Sequence, residues 1–315
     1  MRVVVLLLPA IAGLWAAEQR VEYELTGKVE PPGRAAVYVQ GATKPFGTET
    51  MADGDGRFRV RGLAAGDYSV VVFLPGRGEA RRTIDVGPGT ADARRRVEVM
   101  IRIEEAQLQR DPRHGTVSAR ELGVPEKARR EYQEAQKLVA RRDVAGAVKR
   151  LERAVELAPQ FAIAWNHLGT IAYQTGNFAR AEECFRTALE AEPGAYEPLV
   201  NLGGALLSEL KLDEALKYNL YAVLARPNDA LANSQLGLTY FHVGRLDLAE
   251  KYLKEAVRLD PGHFSHPQLA LAEIHLRRGQ RALAADDLED FVRRHPDWPA
   301  AAKMREAAAK LRAAP

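Results

Sequence analysis

Three histidines lie close together in the C-terminal third of the chain. His263 and His266 are separated by two residues, and His275 lies on a predicted helix that follows them. Imidazole nitrogens are common zinc ligands, so this trio could in principle hold a metal ion. No cysteine or acidic residue stands in an obvious arrangement with the three rings. We therefore expect no metal site here, and no cofactor.

A second candidate for ion binding is the run Asp53-Gly54-Asp55-Gly56, which looks like the beginning of a calcium loop. A calcium loop needs further acidic ligands at later positions, whereas this chain has Arg57 and Arg59 there. The run therefore predicts a tight turn between two strands.

The only cysteine, Cys184, cannot form a disulfide within the chain. No histidine or basic cluster adjoins it in sequence to lower the pKa of its thiol, so it is interpreted as a helix-packing residue. The chain also lacks Gly-x-Ser-x-Gly, a phosphate-binding glycine loop and His-Glu-x-x-His. We expect no enzyme activity; an enzyme would need a site assembled without a local motif.

The formal net charge of +3 is modest for 315 residues. Arg81-Arg82 and Arg94-Arg95-Arg96 are the densest basic runs, and no aromatic residues are interleaved with them. Nucleic-acid binding is therefore not expected. We interpret these arginines as a solvated face of a sheet, with an anionic envelope surface as the alternative neighbour.

The elements that would position any site follow from a repeat between Ala128 and Pro299. A small residue is followed after twelve positions by Ala, after four more by a usually bulky residue, then by a small or apolar residue and by Pro. The prolines that close the five units are Pro159, Pro193, Pro227, Pro261 and Pro296, spaced 34, 34, 34 and 35 residues apart. A fixed period of this length indicates stacked units that cannot bury their apolar faces alone.

Each unit reads as a helical hairpin, because its apolar residues recur at three and four positions. Gly176 and Gly244 stand where the first helix must end in a left-handed turn. Gly169 and Ala181 are small enough to let paired helices approach closely, and Phe185 is predicted to fill the wider part of the same seam.

The second unit resembles the tetratricopeptide repeat in Trp165, Leu168-Gly169, Ala181, Phe185, Ala188 and Pro193. Ala172, where an aromatic is expected, and Asn219 in the third unit, where a bulky apolar residue is expected, depart from that pattern. The resemblance implies a right-handed superhelix whose first helices line a concave groove for protein partners. Residues Trp298 to Arg312 are predicted to form one capping helix.

Projecting the family's groove-lining face onto this chain gives a set of candidate residues for contact with a protein or peptide partner. They are Asn166, Thr170, Tyr173, Val200, Leu207, Leu231, Leu238, Phe241, Leu269 and Leu276. The second half of this set is unusually apolar for a solvent-facing surface. The alternative is that these side chains pack between neighbouring hairpins or against the capping helix. The lysine and asparagine set that clamps a terminal carboxylate in some family members is not matched.

The first residues have the layout of a secretory signal peptide. Arg2 precedes an apolar run from Val3 to Trp15, and Ala16-Ala17 precede Glu18. The run is shorter than the roughly 20 residues that a membrane-spanning helix needs. We expect cleavage near Ala17, with a retained anchor as the alternative.

Between residues 18 and 104 the apolar period changes from 3.6 to 2, which predicts six or seven short strands. The alternating positions are Val21-Tyr23-Leu25, Ala36-Tyr38, Phe58-Val60, Tyr68-Val70-Val72, Ile84-Val86 and Val97-Val99-Ile101-Ile103. The stretch from Asp55 to Val70, with its Asp-Gly, Gly-Leu and Gly-Asp-Tyr steps, resembles the carboxypeptidase regulatory-like domain. That resemblance implies a transthyretin-like sandwich without catalytic residues.

The sequence thus predicts a small antiparallel β-sandwich followed by an all-α solenoid. The expected boundaries are a signal peptide at 1–17, the sandwich at 18–104, a linker at 105–124, five repeats at 125–297 and the cap at 298–315. The expected function is that of an exported scaffold, periplasmic or extracellular, with no transmembrane segment after cleavage. The alternative is a carbohydrate-binding envelope protein in which the sandwich recognises glycan; Tyr23, Tyr38 and Tyr68 are its candidate residues, although their alternation suggests core.

Overall fold

The computed structural model describes residues 21–74, 77–103 and 122–313. The predicted signal peptide and most of the predicted linker lie outside these ranges. Seven strands are described: β1 (Tyr23–Glu30), β2 (Ala35–Gly41), β3 (Gly47–Ala52), β4 (Arg57–Leu63), β5 (Gly66–Leu74), β6 (Gly78–Val86) and β7 (Arg96–Arg102).

The strands form two sheets, with orders β4-β1-β7 and β3-β2-β5-β6. Their inner faces share one apolar core that contains Leu25, Val37, Phe58 and Val70. The predicted sandwich is confirmed, with one parallel pair, β1 with β7, among otherwise antiparallel neighbours. Asp53 and Gly56 form the predicted turn between β3 and β4, where the Asp53 carboxylate accepts two backbone N–H bonds.

Two details of the strand prediction were wrong. The buried residues of β2 are Ala35, Val37, Val39 and Gly41, so the predicted inward positions Ala36 and Tyr38 lie on the other face. Strand β3 was missed because its sequence, GTETMA, is mostly polar and has no apolar alternation. Shifting a strand by one residue moves all of its side chains to the opposite face, and this shift places Tyr38 outside the core.

Eleven helices follow within the described residues. They are α1 (Glu126–Ala140), α2 (Val144–Leu157), α3 (Ala162–Gln174), α4 (Phe178–Ala191), α5 (Tyr196–Ser208), α6 (Leu212–Ala225), α7 (Ala230–His242), α8 (Leu246–Leu259), α9 (Pro267–Arg277), α10 (Arg281–Arg294) and α11 (Ala301–Ala313). Helices α1 to α10 form five hairpins, and α11 packs on α10 as the predicted cap. Trp298 precedes the cap and packs against Phe291. None of the helices described here combines the length and apolar character that a bilayer span requires.

The two helices of a hairpin pack as closely as the small residues between them predict. A Cβ added at Gly169 would lie 2.5 Å from the Phe185 ring, and one at Gly237 would lie 3.0 Å from the Leu253 backbone nitrogen. Gly176 and Gly244 adopt positive φ angles of 81° and 77°, which allow the sharp turn after the first helix. The residues that repeat every 34 positions therefore determine how closely the paired helices pack, in addition to where the helices form.

The sandwich docks on the face formed by the first helices of the hairpins. At one end Arg142 donates to the Gly62 carbonyl oxygen at 2.6 Å, and Gln174 donates to the Gly41 carbonyl oxygen at 2.8 Å. At the other end Arg82 donates to the Leu259 carbonyl oxygen at 2.8 Å. The four-stranded sheet thus lies over the repeats, in contact with both the first and the later hairpins.

Candidate functional site: an interdomain cleft

A cleft of about 700 Å³ remains between the sheet and the repeats. Its floor is built from α1, α3, α5 and α7, the first helices of four consecutive hairpins, and its roof from β2, β3, β5 and β6. A cleft of this volume lies in the usual range of ligand pockets.

The floor is rich in side-chain amides. Asn201 donates to the Asn166 side-chain oxygen at 3.0 Å, which links α5 to α3. Gln133, Gln136 and Gln174 add further amides from α1 and α3. Each amide offers both a donor and an acceptor, as a peptide group does. The floor can therefore bond to a ligand that has alternating donors and acceptors.

One histidine faces the same space. His167 lies 3.4 Å from the Tyr132 hydroxyl, and the two rings pack 5.2 Å apart. Burial lowers the pKa of His167 to about 4. The imidazole is therefore neutral at pH 7, and His167 adds no positive charge to the floor of the cleft.

The roof presents the outer face of the four-stranded sheet. Tyr38 and Glu49 stand opposite each other on β2 and β3, and both border the cleft. Burial raises the pKa of Tyr38, and the neighbouring Glu49 carboxylate raises it further. Tyr38 is therefore a neutral phenol that presents a ring and a hydroxyl to the cleft.

One end of the cleft is charged. Arg226 covers the Tyr196 ring at 3.9 Å and pairs with Glu79 of β6 at 3.7 Å. Arg81 lies 3.6 Å from the same Glu79. Burial lowers the pKa of Arg81, but Asp229, Glu79 and Glu197 outweigh that effect and leave it raised. The guanidinium therefore stays charged at the domain boundary.

The expectation of a solvated sheet face at Arg81-Arg82 was wrong. Arg81 belongs to the charged end of the cleft, and Arg82 bonds to the end of α8. Both arginines lie on the edge strand β6, which is covered by the repeats. The sequence carried no signal for this contact because its partners lie far along the chain.

The structure divides the ten predicted partner-contact residues into two groups. Asn166, Thr170, Val200 and Leu231 border the cleft. The others lie beyond it on the repeats. Tyr173 and Leu207 pack against the core around Phe185 and Leu206. Leu238 and Phe241 pack against Leu271 and Ile274, and Leu269 packs against Phe291. Leu276 is half-buried on α9.

The sandwich residues of the cleft and the α1 amides Gln133 and Gln136 are not among the ten predicted contact residues. Tyr38 was a candidate only for glycan contact, and its alternation suggested a core position; no sequence pattern singles out Glu49 as a binding residue. The outward position of Tyr38 could be found only by assigning Val37 and Val39, its neighbours along β2, to the buried face of the strand.

The three histidines singled out in the sequence have separate surroundings. His263 stacks on Phe264 and bonds to the Ser265 hydroxyl at 2.7 Å, while His275 bonds to Asp287 at 2.6 Å. His266 packs against aromatic rings that include Trp298. Within the described ranges no three His, Cys, Asp or Glu side chains are grouped as a metal site would require. Cys184 is fully buried, and burial raises the pKa of its thiol to about 11, which suits the predicted packing role.

Family models match both parts of the chain. Residues 20–99 match the carboxypeptidase regulatory-like domain. Tetratricopeptide repeat models match residues 132–196, 168–230, 230–263 and 268–297. These matches coincide with the sandwich and with the five hairpins.

Similar curated proteins match only part of this chain. The chain is 30% identical over 122 residues to the anaphase-promoting complex subunit CDC16 of Saccharomyces cerevisiae, covering 38% of this chain and 14% of that protein. It is 29% identical over 116 residues to the human cell division cycle protein 16 homolog, covering 34% of this chain and 19% of that protein. The chain thus spans less than a fifth of the length of either relative.

Among solved structures, PilW, described as a widely conserved type IV pilus biogenesis factor, aligns with a TM-score of 0.51 at 24% identity. The alignment covers 60% of this chain and 92% of PilW. At this identity the likeness concerns the fold alone. With the family matches and the geometry of its hairpins, the chain belongs to the tetratricopeptide repeat proteins and carries an N-terminal carboxypeptidase regulatory-like domain.

Proposed function

We infer that this protein is a non-enzymatic adaptor that binds a partner protein on the first-helix face of its repeats. The observation that carries this function is the 700 Å³ cleft, because its floor presents side-chain amides from three consecutive hairpins. Its relative CDC16 is a subunit of the anaphase-promoting complex. Of the ten predicted contact residues, Asn166, Thr170, Val200 and Leu231 line the cleft, and the other six lie beyond it on the same repeats.

Site-specific photocrosslinking tests this function. A photoreactive phenylalanine analogue placed at Asn201, on the floor, should crosslink to one partner when the protein is expressed in its native cells. Leu224 is the matched control, because it lies on the second helix of the same hairpin and is 69% exposed. Equal crosslinking from Leu224, or none from Asn201, would count against the groove as the binding surface.

We further propose that the protein is exported. The support is the layout of Arg2, the apolar run and Ala16-Ala17. Mass spectrometry of the mature protein should find its N-terminus near Glu18. Recovery of the chain with Met1 intact from the soluble cytosol would contradict export.

Glycan binding is the second candidate, and Tyr38 is the observation that favours it. Tyr23 and Tyr68 lie in the sandwich core, whereas Tyr38 faces the cleft. A flat aromatic face is a common surface for sugar rings, which are apolar on their C–H side. Binding to an envelope glycan that is lost in Tyr38→Ala and retained in Asn201→Ala would favour this candidate over protein binding.

A further inference from the structure

We propose that the ligand site is composite: an extended polypeptide segment of the partner lies between the repeats and the sandwich, and the outer face of the sheet forms half of the site. This inference rests on the proposed function and adds the shape of the ligand and the role of the second domain. It differs from an open groove because residues of β2 and β3 take part in recognition.

The length of the cleft fits an extended chain. Its floor crosses four neighbouring first helices, which at about 9 Å between packed axes gives a span of roughly 27 Å. An extended segment rises about 3.3 Å per residue, so about eight residues would cover that distance.

The chemistry of the lining also fits a peptide backbone. Gln40 from the roof faces the same space as Asn166 and Asn201 from the floor, so amides border the cleft on both sides. An amide pair can bond to both the N–H and the C=O of one peptide group. Edge strand β3 contributes Gly47 and Thr48 to the rim, and edge strands can pair with an added extended segment.

The aromatic rings of the lining are less suited to stacking against sugars. Arg142 lies over the Phe46 ring at 5.4 Å, Arg226 covers Tyr196, and His263 stacks on Phe264 at 4.4 Å. Tyr38 is the remaining aromatic residue among those that line the cleft. A polypeptide therefore fits the lining better than a glycan does.

The domain contact is built from polar groups, which hold the roof in a defined position over the floor. Besides the bonds from Arg82, Arg142 and Gln174, the Gly89 backbone N–H donates to Asp297 at 2.7 Å. The roof and floor are thus joined at several separate points around the cleft. These bonds favour a ligand that binds between the two domains while they stay in contact.

The opposing model treats the sandwich as a lid that competes with the partner for the floor. A disulfide between the domains separates the two models. A Cβ added at Gly87 would lie 4.0 Å from the Asp297 Cβ. Disulfides require a Cβ···Cβ separation of about 3.5–4.5 Å, so Gly87→Cys with Asp297→Cys should form one. The buried Cys184 thiol is unsuited to compete for pairing.

The probe is a fluorescein-labelled octapeptide selected from a random display library on the full chain, and binding is measured by fluorescence anisotropy. Asn201→Ala in the floor and Tyr38→Ala in the roof should each raise Kd by about fivefold or more, the loss expected when an interface contact is truncated. Met51→Ala is the control for the roof, because Met51 lies on the same sheet face outside the cleft and is 59% exposed. Leu224→Ala is the control for the floor.

The oxidised double-cysteine protein should bind the probe as tightly as its reduced form. Loss of binding on oxidation, with tighter binding by Tyr38→Ala, would establish the lid model and overturn the composite site. Weaker binding by Asn201→Ala alone would overturn the role of the sheet and leave the proposed function standing. A selection that yields no binder, or a binder insensitive to Asn201→Ala, would overturn both.

Discussion

The Asp260 carboxylate accepts two hydrogen bonds from Thr83, one from the backbone N–H at 3.0 Å and one from the hydroxyl at 2.7 Å. Thr83 lies on β6 of the sandwich, and Asp260 follows the last residue of α8. Both residues are buried, at 8% and 4% exposure. One carboxylate therefore satisfies two donors of the other domain at the point where the domains meet.

Asp260→Ala should destabilise the contact between the domains. The substitution leaves two buried donors of Thr83 without their acceptor, and an unsatisfied buried group costs about 1–3 kcal/mol. The expected result in urea unfolding is a lower midpoint for the sandwich, or its separation from the unfolding of the repeats. The control is Thr187→Val, which removes a hydroxyl bonded within its own helix to the Glu183 carbonyl oxygen. A shift no larger for Asp260→Ala than for this control would contradict the role of the bond.

The repeats could be predicted from sequence because their contacts are local. Gly169 meets Phe185 and Gly237 meets Leu253 within one hairpin, sixteen residues apart in each case. The pattern repeats at a fixed period, so each unit supports the interpretation of the next. The same reasoning predicted Gly176 and Gly244 as turn residues, and their positive φ angles confirm it.

The docking of the sandwich could not be predicted in this way. The partners of Thr83 and Arg82 lie 177 residues away, and the contact uses single polar groups that form no pattern. Strand β6 shows the consequence, because its buried residues are Ala80, Thr83 and Val86 instead of alternate positions. A second covered face removes the period of two on which strand prediction depends.

Gly237→Ala should cost about 1–3 kcal/mol of the free energy of unfolding, as expected for overpacking. The new methyl group would meet the Leu253 side chain at 2.8 Å and its backbone nitrogen at 3.0 Å, and the backbone cannot move aside cheaply. The control is Gly54→Ala in the β3–β4 turn, where an added Cβ meets nothing within 4 Å. Thermal unfolding of both variants provides the comparison, and equal midpoints would refute the packing role of Gly237.

Asn219→Leu should be neutral or stabilise the fold by up to about 1 kcal/mol. Asn219 is fully buried and donates to the Thr239 hydroxyl at 3.0 Å, while its side-chain oxygen has no hydrogen-bond partner among the described residues. Thr239 keeps its own bond to the Gln235 carbonyl oxygen after the substitution. Replacing a half-satisfied buried amide by an apolar group of similar size removes a desolvation cost. Chemical denaturation tests this, with Asn219→Ala as the cavity control that should be destabilised by about 2 kcal/mol or more.

Acidification from pH 6.5 to pH 5 should destabilise the repeats. Burial lowers the pKa of His295 to about 4 and that of His266 to about 3, below the value near 6.5 of an unfolded chain. The unfolded state therefore binds more protons in this range, and stability present above about pH 6.5 is lost as the pH falls. His295→Phe keeps an aromatic ring beside Phe291 and should reduce the slope of midpoint against pH. An unchanged slope would show that His295 is accessible to protons in the folded state.

The sandwich should show the opposite dependence at higher pH, and Asp67 is the cause. Burial, together with the smaller effect of the Asp85 carboxylate opposite it on β6, raises the pKa of Asp67 to about 7. The folded state thus holds the proton more tightly than the unfolded state. This stabilising contribution is fully present below the unfolded-state pKa of about 3.9 and is lost progressively as the pH rises to about 7.

Asp67→Asn imitates the protonated carboxyl at every pH, so it should raise the midpoint of the sandwich most at pH 8 and by a smaller amount at pH 5. Asp92→Asn is the control, because Asp92 is an exposed carboxylate whose pKa is lowered by its hydrogen bonds to Arg96. A midpoint that falls in Asp67→Asn at pH 8 would show that the charged carboxylate has a stabilising partner in solution.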